Sequence, residues 1–189
     1  MTTIQPAPSI RNFRTVVDGL YRGGQPELSH INQLSKLGMG TVISLRSGRK
    51  ATNWERAAVE AAGMRFISVP MYYLNMPSHS TIDELLALLD EPAHYPIFIH
   101  CYHGVDRTGL IVAVWRMTRQ NWTFHQAYDE MKRCGFHRFR LPHFKWLLGN
   151  YARLVNPPRG ETPPPAGTIK LTCRSNDSST LNRSTLQQS

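Results

Sequence analysis

The runs Thr41-Val-Ile-Ser-Leu45 and Pro96-Ile-Phe-Ile-His100 constrain this chain more than any other feature. Each is short, mostly β-branched or aromatic, and lacks the polar alternation of a strand with one wet face. Such strands must be covered on both sides, and the rest of the pattern supplies the covers. Phe13 to Val17 and Leu20-Tyr-Arg22 read as short strands around the turn Asp18-Gly19. Pro26 to Leu37 puts Ile31, Leu34 and Leu37 on one helical face, with Gly38 as a stop. Ala51 to Ala62 reads as a helix closed by Gly63, and Arg65 to Pro70 as the next strand. Ser80 to Leu89 is predicted as a helix with Thr81 and Glu84 forming a capping box. Thr108 to Arg119, Thr123 to Cys134 and Pro142 to Leu154 complete the helices, the last with proline in its first turn. Strands alternating with helices predict a single α/β domain. Its central sheet has four to five largely parallel strands, flanked by helices on both faces.

The chain has 189 residues, enough for one domain with a real core. Residues 156–189 contain five prolines, ten Ser/Thr and no aromatic residue, so they cannot bury enough apolar surface to offset their ordering entropy. The expected organisation is therefore a flexible N-terminus over 1–10, a folded domain over 11–155 and a disordered tail over 156–189. Three cysteines, an odd number, argue against a disulfide scaffold and fit a reducing, cytoplasmic setting. No stretch approaches the ~20 apolar residues of a membrane helix, and the start of the chain has no signal-peptide pattern. Collagen, coiled coil, membrane protein and knottin are excluded. The formal net charge is +9. The tail holds four basic and two acidic residues, so most of that excess belongs to the folded part, and it suggests an anionic partner.

In open parallel sheets the ligand sits beyond the carboxyl ends of the strands. That rule points at His100-Cys101-Tyr102-His103-Gly104-Val105-Asp106-Arg107-Thr108-Gly109. A cysteine at a strand end is followed by five residues and an arginine that opens a helix. Such a loop can curl until its N–H groups converge on one anion, with Gly104 permitting the unusual dihedrals. The helix after Arg107 aims its positive end at the same point. Arg107 can hold two phosphate oxygens in a fork, which lysine could not. The thiolate of Cys101, at the centre of this field, is the nucleophile such a site needs. The spacing alone is weak evidence, because Cys134 to Arg140 repeats it. Cys134, however, follows a helical pattern, no Ser or Thr follows Arg140, and Leu141-Pro142 separate Arg140 from the next helix.

His100-Cys101-x5-Arg107-Thr108-Gly109 resembles the signature loop of the cysteine-dependent protein tyrosine and dual-specificity phosphatase superfamily. Leu20-Tyr-Arg-Gly-Gly-Gln-Pro26 and Leu37-Gly-Met-Gly-Thr-Val-Ile-Ser-Leu-Arg46 are similar to its compact bacterial, fungal and plant members. The likeness spans about residues 13–150. It implies a phosphatase domain with a two-step covalent mechanism. Cys101 attacks phosphorus, and Arg107 holds the phosphoryl oxygens together with the loop residues Tyr102, His103, Gly104, Val105 and Asp106. Water then hydrolyses the cysteinyl-phosphate. It further implies that Thr108 hydrogen-bonds the sulfur and that His100 orders the loop.

The family's usual general acid is an Asp on the loop after the strand preceding the cysteine strand. Met71-Tyr-Tyr-Leu-Asn-Met-Pro-Ser-His79 has no carboxylate there. Asp106 is one substitute, since the myotubularin-type relatives also carry Asp before the loop arginine; a helix-capping role is the other reading of it. Asp83 is a second, although carboxylates are common in first helical turns. His79, His103 or no side-chain acid is the third. Basic residues cluster at Arg46, Arg49 and Lys50. A second cluster holds Lys132, Arg133, Arg138, Arg140, Lys145, Arg153 and Arg159, joined by His137 and His143, with no Asp or Glu from 131 to 160.

A phosphate monoester hydrolase acting on phosphotyrosine or phosphoserine/threonine proteins is the first expectation. An inositol polyphosphate or phosphoinositide phosphatase is the alternative, and a weakly active phosphate-binding module the second alternative. Nucleic-acid binding has only the charge behind it, and His100/Cys101/His103 are packed too tightly for tetrahedral metal ligation. No cofactor, no metal, no nucleic-acid partner and no integral membrane segment are expected, and the chain is expected to act as a monomer on a phosphorylated substrate.

Overall fold

A computed structural model describes residues 8–155. The boundaries expected at the two termini, and Cys173 and Arg159, lie outside the described residues. Strands β1 (Arg14–Val17), β2 (Leu20–Gly23), β3 (Thr41–Ser44), β4 (Arg65–Ser68) and β5 (Ile97–His100) form one sheet in the order β1-β2-β5-β3-β4. Only β1 is antiparallel, joined to β2 by the turn at Asp18-Gly19, where Gly19 has φ 77°. The helices are α1 (Leu28–Lys36), α2 (Arg49–Ala61), α3 (His79–Asp90), α4 (Asp106–Arg119), α5 (Phe124–Arg133) and α6 (Pro142–Val155).

The two apolar runs become β3 and β5, the inner strands, buried at every position. Alternation along them feeds two separate cores. Ile43, Leu45, Ile97, Ile99 and Cys101 pack with the buried faces of α3, α4, α5 and α6. Val42 and Phe98 point the other way, into a smaller core with Ile31 and Leu34 of α1 and Val59 of α2. Phe98 is fully buried and stacks on Phe13 and His100; truncating a core phenylalanine typically costs about 3–5 kcal/mol. α4 is buried on nearly all sides from Asp106 to Met117, because α3, α5 and α6 pack around it. Arg116 ties the two halves of the fold, donating to the Val16 carbonyl at 2.8 Å and to both oxygens of Glu130.

Element ends shift by a residue or two from the sequence expectation. One capping assignment is corrected. α3 is capped by Ser78, whose hydroxyl accepts from the Thr81 N–H at 3.1 Å, so Thr81 and Glu84 lie inside the helix and form no capping box. The Ser before the run won because it sits in an extended conformation, which a cap requires. At α5 the cap is Thr123, paired reciprocally with Gln126. α4 starts at Asp106 rather than Thr108, which places Arg107 inside its first turn. Among the described residues no helix is long and apolar enough to cross a membrane.

Registers align the strand ends. Gly23 and Ser44 pair with His100, and Ser44 with Ser68. The chain therefore leaves four parallel strands at one level, and whatever follows each of them converges there.

Candidate active site

Cys101 is the first residue beyond β5 and is 2% exposed. The loop that follows is held from behind, carbonyl by carbonyl. The Gln25 N–H donates to the Tyr102 carbonyl at 3.1 Å. Asn12 Nδ2 donates to the His103 carbonyl at 2.9 Å. Arg22 Nη2 donates to the Gly104 carbonyl at 2.8 Å and, more weakly, to that of Val105 at 3.4 Å. Four successive carbonyls are thus turned outward, and among the described residues no main-chain partner takes the N–H groups of Tyr102, His103, Gly104 or Val105. A run of N–H groups freed in this way is an anion nest. Gly104 is required at its apex. It has φ 73°, and a Cβ there would lie 2.2 Å from the Gly23 carbonyl carbon.

Arg22, Asn12 and Gln25 were not legible as loop supports. Arg22 carried the only available signal, a charged residue inside an apolar strand. It is 2% exposed, and burial lowers its pKa from the ordinary arginine value.

Arg107 donates through Nη1 alone, to the carbonyls of Leu45 at 3.2 Å and Met71 at 2.9 Å. These are the chain segments just past β3 and β4, so the aligned strand ends anchor one edge of the guanidinium. Nε and Nη2 form no hydrogen bond to the described protein and remain available as a fork. Cys101, Tyr102, His103, Asp106 and Arg107 line one cavity of about 310 Å³ with Arg46, Ser47 and Tyr73. Gly104 and Val105 contribute main chain and no cavity wall. Arg46 lies over the Tyr102 ring at 4.7 Å from its centroid.

His100 is fully buried and sits 2.7 Å from the equally buried Glu55 of α2, too poorly aligned for a regular hydrogen bond. Its Nδ1 contacts the Cys101 carbonyl at 3.2 Å. Thr108 Oγ1 is buried with no hydrogen-bond partner among the described residues.

Of the acids weighed, Asp106 and His103 reach the cavity, and Asp106 is the one carboxylate among them. Its carboxylate is 3% exposed and accepts from the His137 main-chain N–H at 2.9 Å, with His137 Nδ1 at 3.1 and 2.9 Å from its two oxygens. Asp83 lies exposed on α3 away from the cavity. His79 turns to the Tyr151 hydroxyl at 3.1 Å. The loop after β4 presents Tyr73 in place of a carboxylate; its phenol is raised above the ordinary tyrosine pKa, first by burial and then by the charge of Asp106. His103 is lowered below the usual histidine value, first by burial and then by Arg11, with Asp106 opposing. Of the two basic clusters only Arg46 lines the cavity. Arg49, Lys50, Lys132, Arg133, Arg138, Arg140, Lys145 and Arg153 are exposed outside it, and Lys132 is paired with Asp129 at 2.6 Å. Among the described residues no group of three or more His, Cys, Asp or Glu is placed to hold a metal ion.

Comparison with known proteins agrees with this geometry. The family model described as "DSP-PTPase phosphatase fused to NAD+ Kinase" matches residues 10–145. The chain is 31% identical over 129 residues to the dual specificity protein phosphatase TpbA of Pseudomonas aeruginosa, covering 68% of this chain and 56% of the relative. It therefore spans little more than half the length of that relative. It is 30% identical over 142 residues to an inositol diphosphatase of Arabidopsis thaliana, covering 72% of this chain and 68% of the relative. Among solved structures, the core catalytic domain of the PP-IP phosphatase SIW14 from S. cerevisiae, in complex with citrate, superposes with a TM-score of 0.65 at 26% identity, covering 79% of this chain and 90% of that one.

Proposed function

Because the chain belongs to the DSP-PTPase family of cysteine-dependent phosphatases, we propose that it hydrolyses phosphate monoesters through a cysteinyl-phosphate at Cys101, with phosphorylated proteins as first substrate class. The observation that carries this reading is the anchoring of four successive loop carbonyls from behind, which leaves the N–H groups of Tyr102 to Val105 without a main-chain partner among the described residues, in the loop that follows the sulfur. A phosphoryl group seated there takes hydrogen bonds from the loop and from the free edge of Arg107. The sulfur attacks phosphorus in line with the ester oxygen, and the P–O bond breaks as P–S forms. The spread of charge over three equatorial oxygens is met by fixed donors that need no reorganisation. Asp106, the one carboxylate on the cavity, is the group placed to protonate the departing oxygen and then to take a proton from the attacking water.

Tyr73 and Tyr102 wall the cavity, and next to it lies a second one of about 490 Å³ that shares Tyr102 and includes Leu28, Trp54, Gln25 and Arg11. The lining of this second cavity mixes Pro26, Leu28 and Trp54 with Arg11 and Glu27 of opposite charge, which suits the varied side chains that flank a phosphorylated residue in a polypeptide. Arg46 on the cavity, with Arg49 and Lys50 close by in sequence, supports the second reading, an inositol polyphosphate or diphosphate substrate of the kind named for the plant and yeast relatives. Release of inorganic phosphate from phosphotyrosine peptides and from inositol diphosphates, by wild type and by Cys101→Ser, tests both. Faster turnover of the peptides, lost in Cys101→Ser, is expected. Turnover confined to the inositol substrates would transfer the assignment to the second reading, and phosphate binding without turnover of either would leave a phosphate-binding module.

A further inference from the structure

The α5–α6 connection contributes a residue to this site that its spacing in sequence does not announce. His137 lies 31 positions from Asp106 and meets its carboxylate three times: main-chain N–H to Oδ1 at 2.9 Å, and Nδ1 to Oδ1 at 3.1 Å and to Oδ2 at 2.9 Å. The two partners differ in access. The Asp106 side chain is 3% exposed and lines the cavity, whereas that of His137 is 42% exposed and lies outside the cavity wall. The pair thus links the buried carboxylate on the cavity wall to an imidazole in contact with bulk water. We propose that His137 is the positioning and proton-supplying partner of Asp106, so that the Asp106–His137 pair replaces the carboxylate absent from the loop after β4.

This inference rests on the phosphatase reading and assigns its proton path. Before reaction the pair holds one proton between Oδ and Nδ1. When sulfur displaces the ester oxygen, that oxygen leaves with the proton from Asp106. That proton is the one that bridged Nδ1 and the carboxylate, so the pair is left one proton short. In the second step water attacks phosphorus, P–S breaks and the thiolate returns. The proton lost by the water restores the pair, either directly or by exchange with solvent at the exposed imidazole. No other reactant is consumed, and the proton count closes over the cycle.

A simple capping role for Asp106 at the start of α4 would need only the main-chain contacts of a helix terminus. It would not require an imidazole chelating both oxygens. The other titratable and charged groups that face this corner are the Tyr73 hydroxyl from the loop after β4, Cys101 and His103 from the phosphate loop, Arg107 from α4, and Arg140 from the α5–α6 connection. The His103 ring is 6.4 Å from that of His137. None of these is a second carboxylate, so Asp106 is the one carboxylate among the residues that line the cavity.

The test uses the full chain with one aryl and one alkyl phosphate, because an alkoxide leaves only with a proton whereas a nitrophenolate does not need one. His137→Gln and His137→Ala should lower kcat for the alkyl ester on the order of 10²-fold and for p-nitrophenyl phosphate several-fold at most. The alkaline limb of the alkyl pH–rate profile should move in both variants. Added imidazole should restore part of the alkyl activity of His137→Ala. The double variant His137→Ala/Asp106→Asn should be no worse than Asp106→Asn, since groups acting as one unit do not add. Circular dichroism and thermal melting show whether each variant is folded, and His137→Gln, which can still donate to the carboxylate, retains the docking contact if His137→Ala loosens it. Equal losses on both esters, an unmoved pH profile in folded His137→Gln, or additive losses in the double variant would overturn the assignment. Phosphate release that survives in Cys101→Ser would overturn the phosphatase reading itself. Release lost in Cys101→Ser with unmoved His137 profiles would overturn only the proton path.

Discussion

The chain contains two segments with a cysteine six positions before an arginine, Cys101 to Arg107 and Cys134 to Arg140, and the fold treats them in opposite ways. Cys101 follows a buried strand and precedes the first turn of α4, so the positive end of a helix faces the sulfur. Cys134 is the C-terminal cap of α5, and the negative end of a helix faces it. Arg107 is 7% exposed and strapped to two carbonyls, whereas Arg140 is exposed. Identical spacing therefore produces an anion nest in one place and a solvated turn in the other. What separates them is the polarity of the flanking helix and the level at which parallel strands end. The second segment is still not idle, since His137 within it chelates Asp106 of the first.

The comparison is broken most sharply at the sulfurs. Cys101→Ser is expected to remove phosphate release entirely, and Cys134→Ser to leave it within twofold, with stability changed by no more than about 0.5 kcal/mol. Comparable losses from both, read with p-nitrophenyl phosphate, would mean that spacing rather than context makes the site. The arginines come next. Arg107→Lys should lower kcat by about 10²-fold or more, because the charge stays but the two-pronged contact goes. Arg140→Lys should change it less than twofold.

The glycines of the two segments sharpen the contrast at the level of stability. Gly104→Ala drives a Cβ against the Gly23 main chain, and we expect a loss above ~3 kcal/mol in chemical denaturation, with activity lost too. Gly135, also at positive φ (93°), has only Val105 side-chain carbons at 3.7 and 3.9 Å near its Cβ position. Gly135→Ala should cost only the backbone strain, about 1 kcal/mol.

The smallest effect is a pH dependence. His103 is lowered in the folded chain, so the unfolded chain binds more protons through the imidazole range, and stability rises with pH there. The folded state accordingly loses stability as pH falls from about 7 toward 5. Melting temperatures across that window should fall less steeply in His103→Asn than in wild type. An identical slope would remove His103 from the account.

Much of this was legible from local pattern. The apolar runs of β3 and β5 can only be strands covered on both faces, and Gly104 and Arg107 after such a strand can only be read together with Cys101. Chain ends of helices were less legible: Ser78 rather than Thr81 caps α3, because a cap depends on which residue is extended, not only on which residue types stand three apart. The supports of the loop were not legible at all. Asn12, Arg22, Gln25 and His137 lie between 31 and 91 positions from the loop residues they hold, and no local periodicity records a contact across such a gap.

Short-range chemistry, then, was written in the order of residues: which runs are strands, where the sulfur and the guanidinium sit, and that the loop between them must turn at Gly104. The choice of proton carrier was not. It depended on the shared level of four strand ends and on the return of the α5–α6 connection to the start of α4, because distance along a chain sets which groups can meet cheaply but only packing sets which of them do.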